Sequence, residues 1–246
     1  MSSVNDPDVV RHEYATEDRF LARRLAAWAR LHGPLAEDAA IDAVAEGMPA
    51  RVLDVGCGTG DFSERLQREA GATVVGLDLS RRMVELTHSR GLLCAEGDVQ
   101  ALPFRDGAFD AVVANRVLYH VPDLDRGLAE VVRVLEPGGR LVAVTYGRHH
   151  LRELWDLPGG SDRGSGPFTA EAGEADLQRH FRRVERRDLT GTASFPDTAS
   201  IASFLAASWS SDEWLAADRT VRLDEIETPF TATYRHTVFL ALTQAG

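Results

Sequence analysis

The sequence predicts an α/β protein: a mostly parallel sheet with helices on both faces, behind an N-terminal helical cap. Three observations predict it. Short apolar runs alternate with helical periodicities from residue 51 to residue 146. A turn with glycines at alternate positions, Gly56-Cys57-Gly58-Thr59-Gly60, follows the first apolar run and opens a helical pattern. Carboxylates recur where successive apolar runs end: Asp54, Asp78 and Asp98.

The elements follow in order. Phe20, Leu21, Leu25, Trp28 and Leu31 fall mostly at three- and four-residue steps, which predicts an amphipathic helix over 16–31. A second helix is expected over 34–46, stopped by Gly47 and Pro49. Strands are expected over 51–55, 73–77, 92–95, 109–114 and 140–146, with helices over 61–70, from a Ser80 cap to about 90, and around 124–135. Pro137-Gly138-Gly139 reads as a turn. Alternation of this kind means a parallel sheet covered on both faces, with ligands bound beyond the carboxyl ends of its strands. Further on, 157–168 is rich in Gly, Pro and Ser and reads as a loop, 170–181 as a helix, and 184–189 and 231–242 as strands with one or two helices between. The organisation expected is a helical cap over 1–48 and one globular unit over 49–246, with a lid at about 148–182.

Composition bounds the function. Lys plus Arg total 27 against 38 Asp plus Glu, a net charge of -11, which opposes nucleic-acid phosphates and anionic membranes. Every basic residue among those 27 is arginine, so lysine Schiff-base chemistry and the P-loop lysine are excluded. No run approaches the roughly 18 apolar residues of a membrane span, and the polar N-terminus lacks the apolar stretch of a secretory signal, so a cytoplasmic location is expected. Cys57 and Cys94 have no ligand-spaced partners; they read as small buried thiols, with no metal site.

Two readings of the glycine turn compete. A dinucleotide fold wants G-x-G-x-x-G for a pyrophosphate. Here the pattern is G-x-G-x-G, and an acid in the turn repels a pyrophosphate. A cationic nucleoside without a diphosphate suits all three acids. Asp54 can orient the turn and face an amino group, Asp78 can accept ribose hydroxyls, and Asp98 can accept from an adenine amine. The glycine backbone allows close approach of an amino-acid carboxylate.

The stretches VLDVGCGTG (52–60), GLDLS (76–80), GDVQALPFRDGAFDAVVANRVLYHVPD (97–123) and VLEPGGRLVAVTYG (134–147) resemble class I S-adenosylmethionine-dependent methyltransferases with small-molecule acceptors. The resemblance covers about residues 50 to 150. It implies a Rossmann-like sheet of seven strands with the last antiparallel, and S-adenosylmethionine as cofactor. It also implies that Gly56, Gly58 and Gly60, with Cys57 in the same turn, meet the methionine moiety and that Asp78 binds the ribose. Leu79 and Met83 would pack on the adenine, Asp98 and Val99 would read its amine edge, and Asn115 would lie beside the methyl. In relatives an N-terminal segment folds over the cofactor and an aromatic there can cover it; Tyr14 is either that aromatic or an ordinary hydrophobic anchor.

Methyl transfer is an in-line displacement that needs alignment and exclusion of water; a base is needed only if the nucleophile carries a proton. His120 is a candidate base or a pocket-shaping residue, and His149, like His150, is a candidate base or a solvated one. Arg116 meets either an anionic acceptor or one of the surface acids. Trp155, Phe168, Phe195, Phe204, Trp209 and Trp214 supply candidates for an acceptor pocket. The function expected is methylation of a small-molecule biosynthetic or natural-product intermediate, by a protein compatible with a homodimer. The alternatives are an NAD-dependent oxidoreductase and a SAM-binding regulator without turnover.

Overall fold

Runs of Val, Leu and Ala offer water no polar face, so they belong in the middle of a sheet covered on both sides. The computed structural model, which describes Val10 and residues 31–157, 167–206 and 225–244, places them there. In chain order the elements are β1 (Leu31–His32), α1 (Ala36–Ala45), β2 (Arg51–Val55), α2 (Asp61–Ala70), β3 (Thr73–Asp78), α3 (Arg81–Ser89), β4 (Leu93–Glu96) and β5 (Phe109–Asn115). A 3₁₀ turn (Leu118–His120) leads to α4 (Leu124–Val134), β6 (Leu135–Tyr146), α5 (Arg152–Trp155), α6 (Gly173–Gln178), β7 (Arg183–Phe195), α7 (Thr198–Ala206) and β8 (Phe230–Leu242). Apart from Leu31, the helix expected over 16–31 lies outside the described residues. So do Tyr14, Trp209, Trp214 and the 158–166 part of the expected lid.

The strands form one sheet in the order β1-β7-β8-β6-β5-β2-β3-β4. From β4 to β6 every pairing is parallel, and β8 runs antiparallel between β6 and β7. The expected antiparallel last strand is therefore present. The count is eight because the two-residue β1 adds itself antiparallel to the β7 edge. The Pro-Gly-Gly turn survives as a bulge inside β6: Phe109 pairs with Leu135, then Ala111 with Arg140. The helix expected over 170–181 has a core of six residues, with Gly173 N–H to Thr169 O and Phe181 N–H to Leu177 O continuing the pattern at each end.

Strand alternation sends side chains to two cores. One face packs Leu53, Val112, Leu141 and Phe239 under Leu128 and Val131 of α4. The other packs Val52, Val74, Val113, Val142 and Val238 under Ala40, Ile41 and Val44 of α1 and Phe62 and Leu66 of α2. A third cluster joins Leu154, Trp155, Phe195, Ile201, Phe204 and Tyr234 where β7 and β8 outrun the parallel strands. This corrects one expectation: Trp155, Phe195 and Phe204 fill that cluster, and Phe168 fills the first, so these four aromatics are core residues rather than pocket walls.

Leu128 is fully buried under the sheet. Leu128→Ala is expected to cost about 2–5 kcal/mol of unfolding free energy through lost burial and a residual cavity, read as a shift of the urea midpoint at unchanged slope.

Candidate cofactor site

The turn after β2 works only with glycine. Gly56, Gly58 and Gly60 take φ of 72°, 56° and 80°, the left-handed region that L side chains avoid. A Cβ on Gly56 would lie 2.5 Å from Val117 Cγ2, and one on Gly60 would lie 2.9 Å from Thr87 Oγ1. Gly56 and Cys57 N–H both donate to Leu77 O, at 2.7 and 3.1 Å, which ties the turn to the end of β3. Gly60 then caps α2 with no side chain, leaving a helix start beside an open backbone.

Two carboxylates flank this turn on one face of the sheet. Asp54 pairs with Gly76 in the ladder, and Asp78 stands one two-residue step further along β3 on the same face. Asp54 is buried, and its Oδ2 accepts from Ser63 Oγ at 2.5 Å. Its Oδ1 has no partner among the described residues. Burial raises its pKa to about 7 despite the Ser63 bond, and the charges of Asp78 and Glu37 push in the same direction. Asp78 accepts from Gly58 N–H and Ser80 N–H, each at 2.9 Å, and burial raises its pKa also. Ser80 caps α3 by accepting from Met83 N–H at 3.4 Å.

Asp98 lies two residues beyond Glu96, the ladder partner of Asp78. Gln100 holds it: the Gln100 amide donates to Oδ1 at 2.8 Å and its side chain donates to Oδ2 at 3.0 Å. Gln100 Oε1 in turn accepts from Asp123 N–H at 3.1 Å. Sequence reasoning missed Gln100; the Asp-x-Gln spacing after a strand end was the available signal. Leu79 is half-buried, whereas Met83 and Val99 are buried. Asn115 ends β5, and its Oδ1 is buried without a partner among the described residues.

Cys57 and Cys94 are both free, with sulfurs 3.5 Å apart. The contact exists because Gly76 beneath them lacks a side chain; a Cβ there would lie 2.8 Å from the Cys57 sulfur. The bond to Cys94 and burial push the Cys57 thiol up, so it stays protonated and serves packing. Cys94 is half-buried, less enclosed than the sequence predicts, because it sits on the edge strand β4.

The histidines separate. His120 is half-buried with its ring 4.4 Å from that of Tyr119. His149 is exposed, with Nδ1 3.5 Å from Arg152 Nη1. His150 Nδ1 accepts from Arg235 N–H at 3.1 Å. His236, which the sequence reading passed over, is buried on β8 opposite Tyr146. Its in-facing parity with Val238 and Leu240 was the missed signal. Arg116 pairs with Glu37 of α1, a buried acid rather than one of the surface acids expected. No His/Cys/Asp/Glu cluster suited to a metal ion occurs among the described residues.

A profile of the methyltransferase domain matches residues 53–143. The demethylmenaquinone methyltransferase of Thermobifida fusca is 33% identical over 184 residues, which make up 72% of this chain and 74% of that protein. The chain belongs to the class I S-adenosylmethionine-dependent methyltransferase family. A demethylmenaquinone methyltransferase from Thermus thermophilus is 42% identical over 114 residues, 44% of this chain and 52% of that protein. The chain spans about half the length of the first curated relatives it matches. The [4+2]-cyclase SpnF superposes with a TM-score of 0.63 at 21% identity, over 100% of this chain and 98% of that one, a likeness of fold. S-adenosylmethionine is the cofactor of this methyltransferase-family chain, and its site fits: left-handed glycines at 56, 58 and 60, and partnerless buried oxygens on Asp54 and Asn115.

The raised pKa of Asp54 makes a signed prediction. Between the ordinary carboxylate value near 3.8 and about 7, the folded chain binds a proton that the unfolded chain does not. Stability of the cofactor-free protein therefore falls as pH rises through that window. In Asp54→Asn this loss is absent, so urea unfolding followed from about pH 4 to about pH 7 is expected to give a flatter profile than wild type.

Proposed function

We propose that the chain transfers the methyl group of S-adenosylmethionine to a small-molecule acceptor. The observation that carries this is the shared face on which the glycine turn meets two carboxylates, Asp54 buried and with a free oxygen, Asp78 half-buried. S-adenosylmethionine supplies an activated methyl on a sulfonium. The chain's own residues bind, orient and exclude water.

In this reading Gly56, Cys57, Gly58 and Gly60 cradle the methionine carboxylate, and Asp54 Oδ1 takes the ammonium. Asp78 accepts from the ribose hydroxyls through lone pairs not used by Gly58 and Ser80. Asp98 takes the adenine amine, with Leu79, Met83 and Val99 forming the wall, and Asn115 lies near the reacting methyl. The covering role is assigned to Tyr14, which lies outside the described residues. An acceptor that arrives protonated draws first on half-buried His120, then on exposed His149.

A small acceptor agrees with relatives named as acting on demethylmenaquinone and on malonyl-[acyl-carrier protein]. The net charge of -11 disfavours nucleic acid, and no described helix is long and apolar enough to cross a membrane. A cytoplasmic setting, one unit over 49–246 and a homodimer complete the reading, the last testable by sedimentation.

Calorimetry tests the assignment. Asp78→Ala is expected to weaken S-adenosylhomocysteine binding at least about ten-fold, the scale of a lost hydrogen bond to a charged group. Unchanged affinity in a folded variant contradicts the ribose role.

A further inference from the structure

The carboxyl edge of the sheet is electrically lopsided. Its β2–β3 end holds Asp54 and Asp78, while Glu37, which also bears on Asp54, is compensated by its pairing with Arg116. Its β5–β6–β8 end is built differently. Asn115 pairs with Val144 in the ladder, and Val144 with Val238. Tyr146 and His236, paired with each other, stand one two-residue step further on. By alternation Asp54, Asn115, Tyr146 and His236 therefore share one face of the sheet.

Around that far end the rings converge: Tyr146 to His150 at 4.5 Å, His150 to His236 at 4.8 Å, and Tyr119 to Tyr146 at 5.7 Å. The cation among them is Arg116, which immediately follows Asn115. It holds a left-handed φ of 62°, unusual for a non-glycine residue, with its N–H fixed to Val144 O at 3.1 Å. Its guanidinium pairs with Glu37 from α1 and acts on Tyr119, Tyr146 and His236. His236 is 6% exposed, and its Nδ1 is buried without a partner among the described residues, as is Nη1 of its neighbour Arg235. A buried donor without a partner is costly, and an anionic ligand is one way to satisfy it.

We propose that this end is the acceptor subsite and that it binds an oxygen acid as its anion, beside Arg116 and hydrogen-bonded by His236 Nδ1–H. The inference rests on the methyltransferase reading and adds the chemical class of the acceptor. Burial and Arg116 hold the His236 imidazole neutral, with its pKa lowered to about 3. It is therefore a donor that orients and a poor base. The same positive potential disfavours an ammonium acceptor. The acceptor's proton leaves to solvent on entry. The oxygen–methyl bond then forms as the sulfur–methyl bond breaks, and the anion and sulfonium charges cancel, leaving a neutral methylated product and a neutral thioether. Neither His120 nor His149 is then required as a base.

The test uses protein loaded with S-adenosylhomocysteine and 4-nitrophenol as probe, following the visible phenolate band against pH. Wild type is expected to bind the phenolate about ten-fold more tightly than the phenol, lowering the probe's apparent pKa by about one unit. His236→Phe is expected to weaken phenolate binding about ten-fold. The double variant Glu37→Gln with Arg116→Gln, which removes the pair without stranding a charge, is expected to abolish the pKa shift; should it fail to fold, wild type and His236→Phe decide. An unshifted wild-type titration, whether from weak binding or from binding as the neutral phenol, overturns the proposal, as does tighter binding of benzylammonium. Calorimetry of S-adenosylhomocysteine on the same sample separates the two levels: lost cofactor binding is a failure of the methyltransferase reading itself.

Discussion

Everything in the site depends on a backbone turn that excludes side chains next to a carboxylate that cannot reach water. Three left-handed glycines let the chain reverse between β2 and α2 while its amides stay tied to β3. The reversal leaves Gly56 and Gly58 half-buried, with no side chain between their backbone and a ligand. Asp54 beneath it is satisfied on one oxygen by Ser63 and left open on the other. A buried carboxylate with an open oxygen is unfavourable alone and favourable beside a cation. In the proposed reading a cationic amino-acid nucleoside is the ligand that completes this carboxylate.

The rest of the fold serves to hold that arrangement still. Parallel strands bring Asp54, Asp78 and Asn115 to a common edge because each ends on the same face one ladder step apart. Ser80 starts α3 where Asp78 needs a backbone donor, so one short segment caps a helix and orients an acid. The β7–β8 extension carries a core of its own around Phe195 and Tyr234. That core keeps β8 in register, which sets His236 opposite Tyr146 and brings imidazole and phenol rings together beyond Asn115.

Much of this was legible in the sequence, for identifiable reasons. β2, α2 and the Ser80 cap begin and end where apolar period, glycine and serine place them, since each boundary is set by neighbours in the chain. Asp54 and Asp78 were legible because a strand end is a local feature. What was not legible depends on distant pairing. Glu37 and Arg116 are 79 residues apart, and no local pattern joins them. The Cys57–Cys94 contact needs the empty side-chain position of Gly76 between two strands. His236 was hidden because alternation along β8 marks it as inward but not what it meets, and the C-terminal aromatics looked available for a pocket until the third core claimed them.

The most direct measurement of the central claim is the affinity for S-adenosylhomocysteine as a function of pH. If the open oxygen of Asp54 receives the ligand's ammonium, binding tightens as that carboxyl ionises near its raised pKa of about 7. The account predicts a dissociation constant about five- to ten-fold lower at about pH 8 than at about pH 6, with the difference gone in Asp54→Asn. Affinity that is flat across that range in the wild-type protein, or absent throughout, contradicts it.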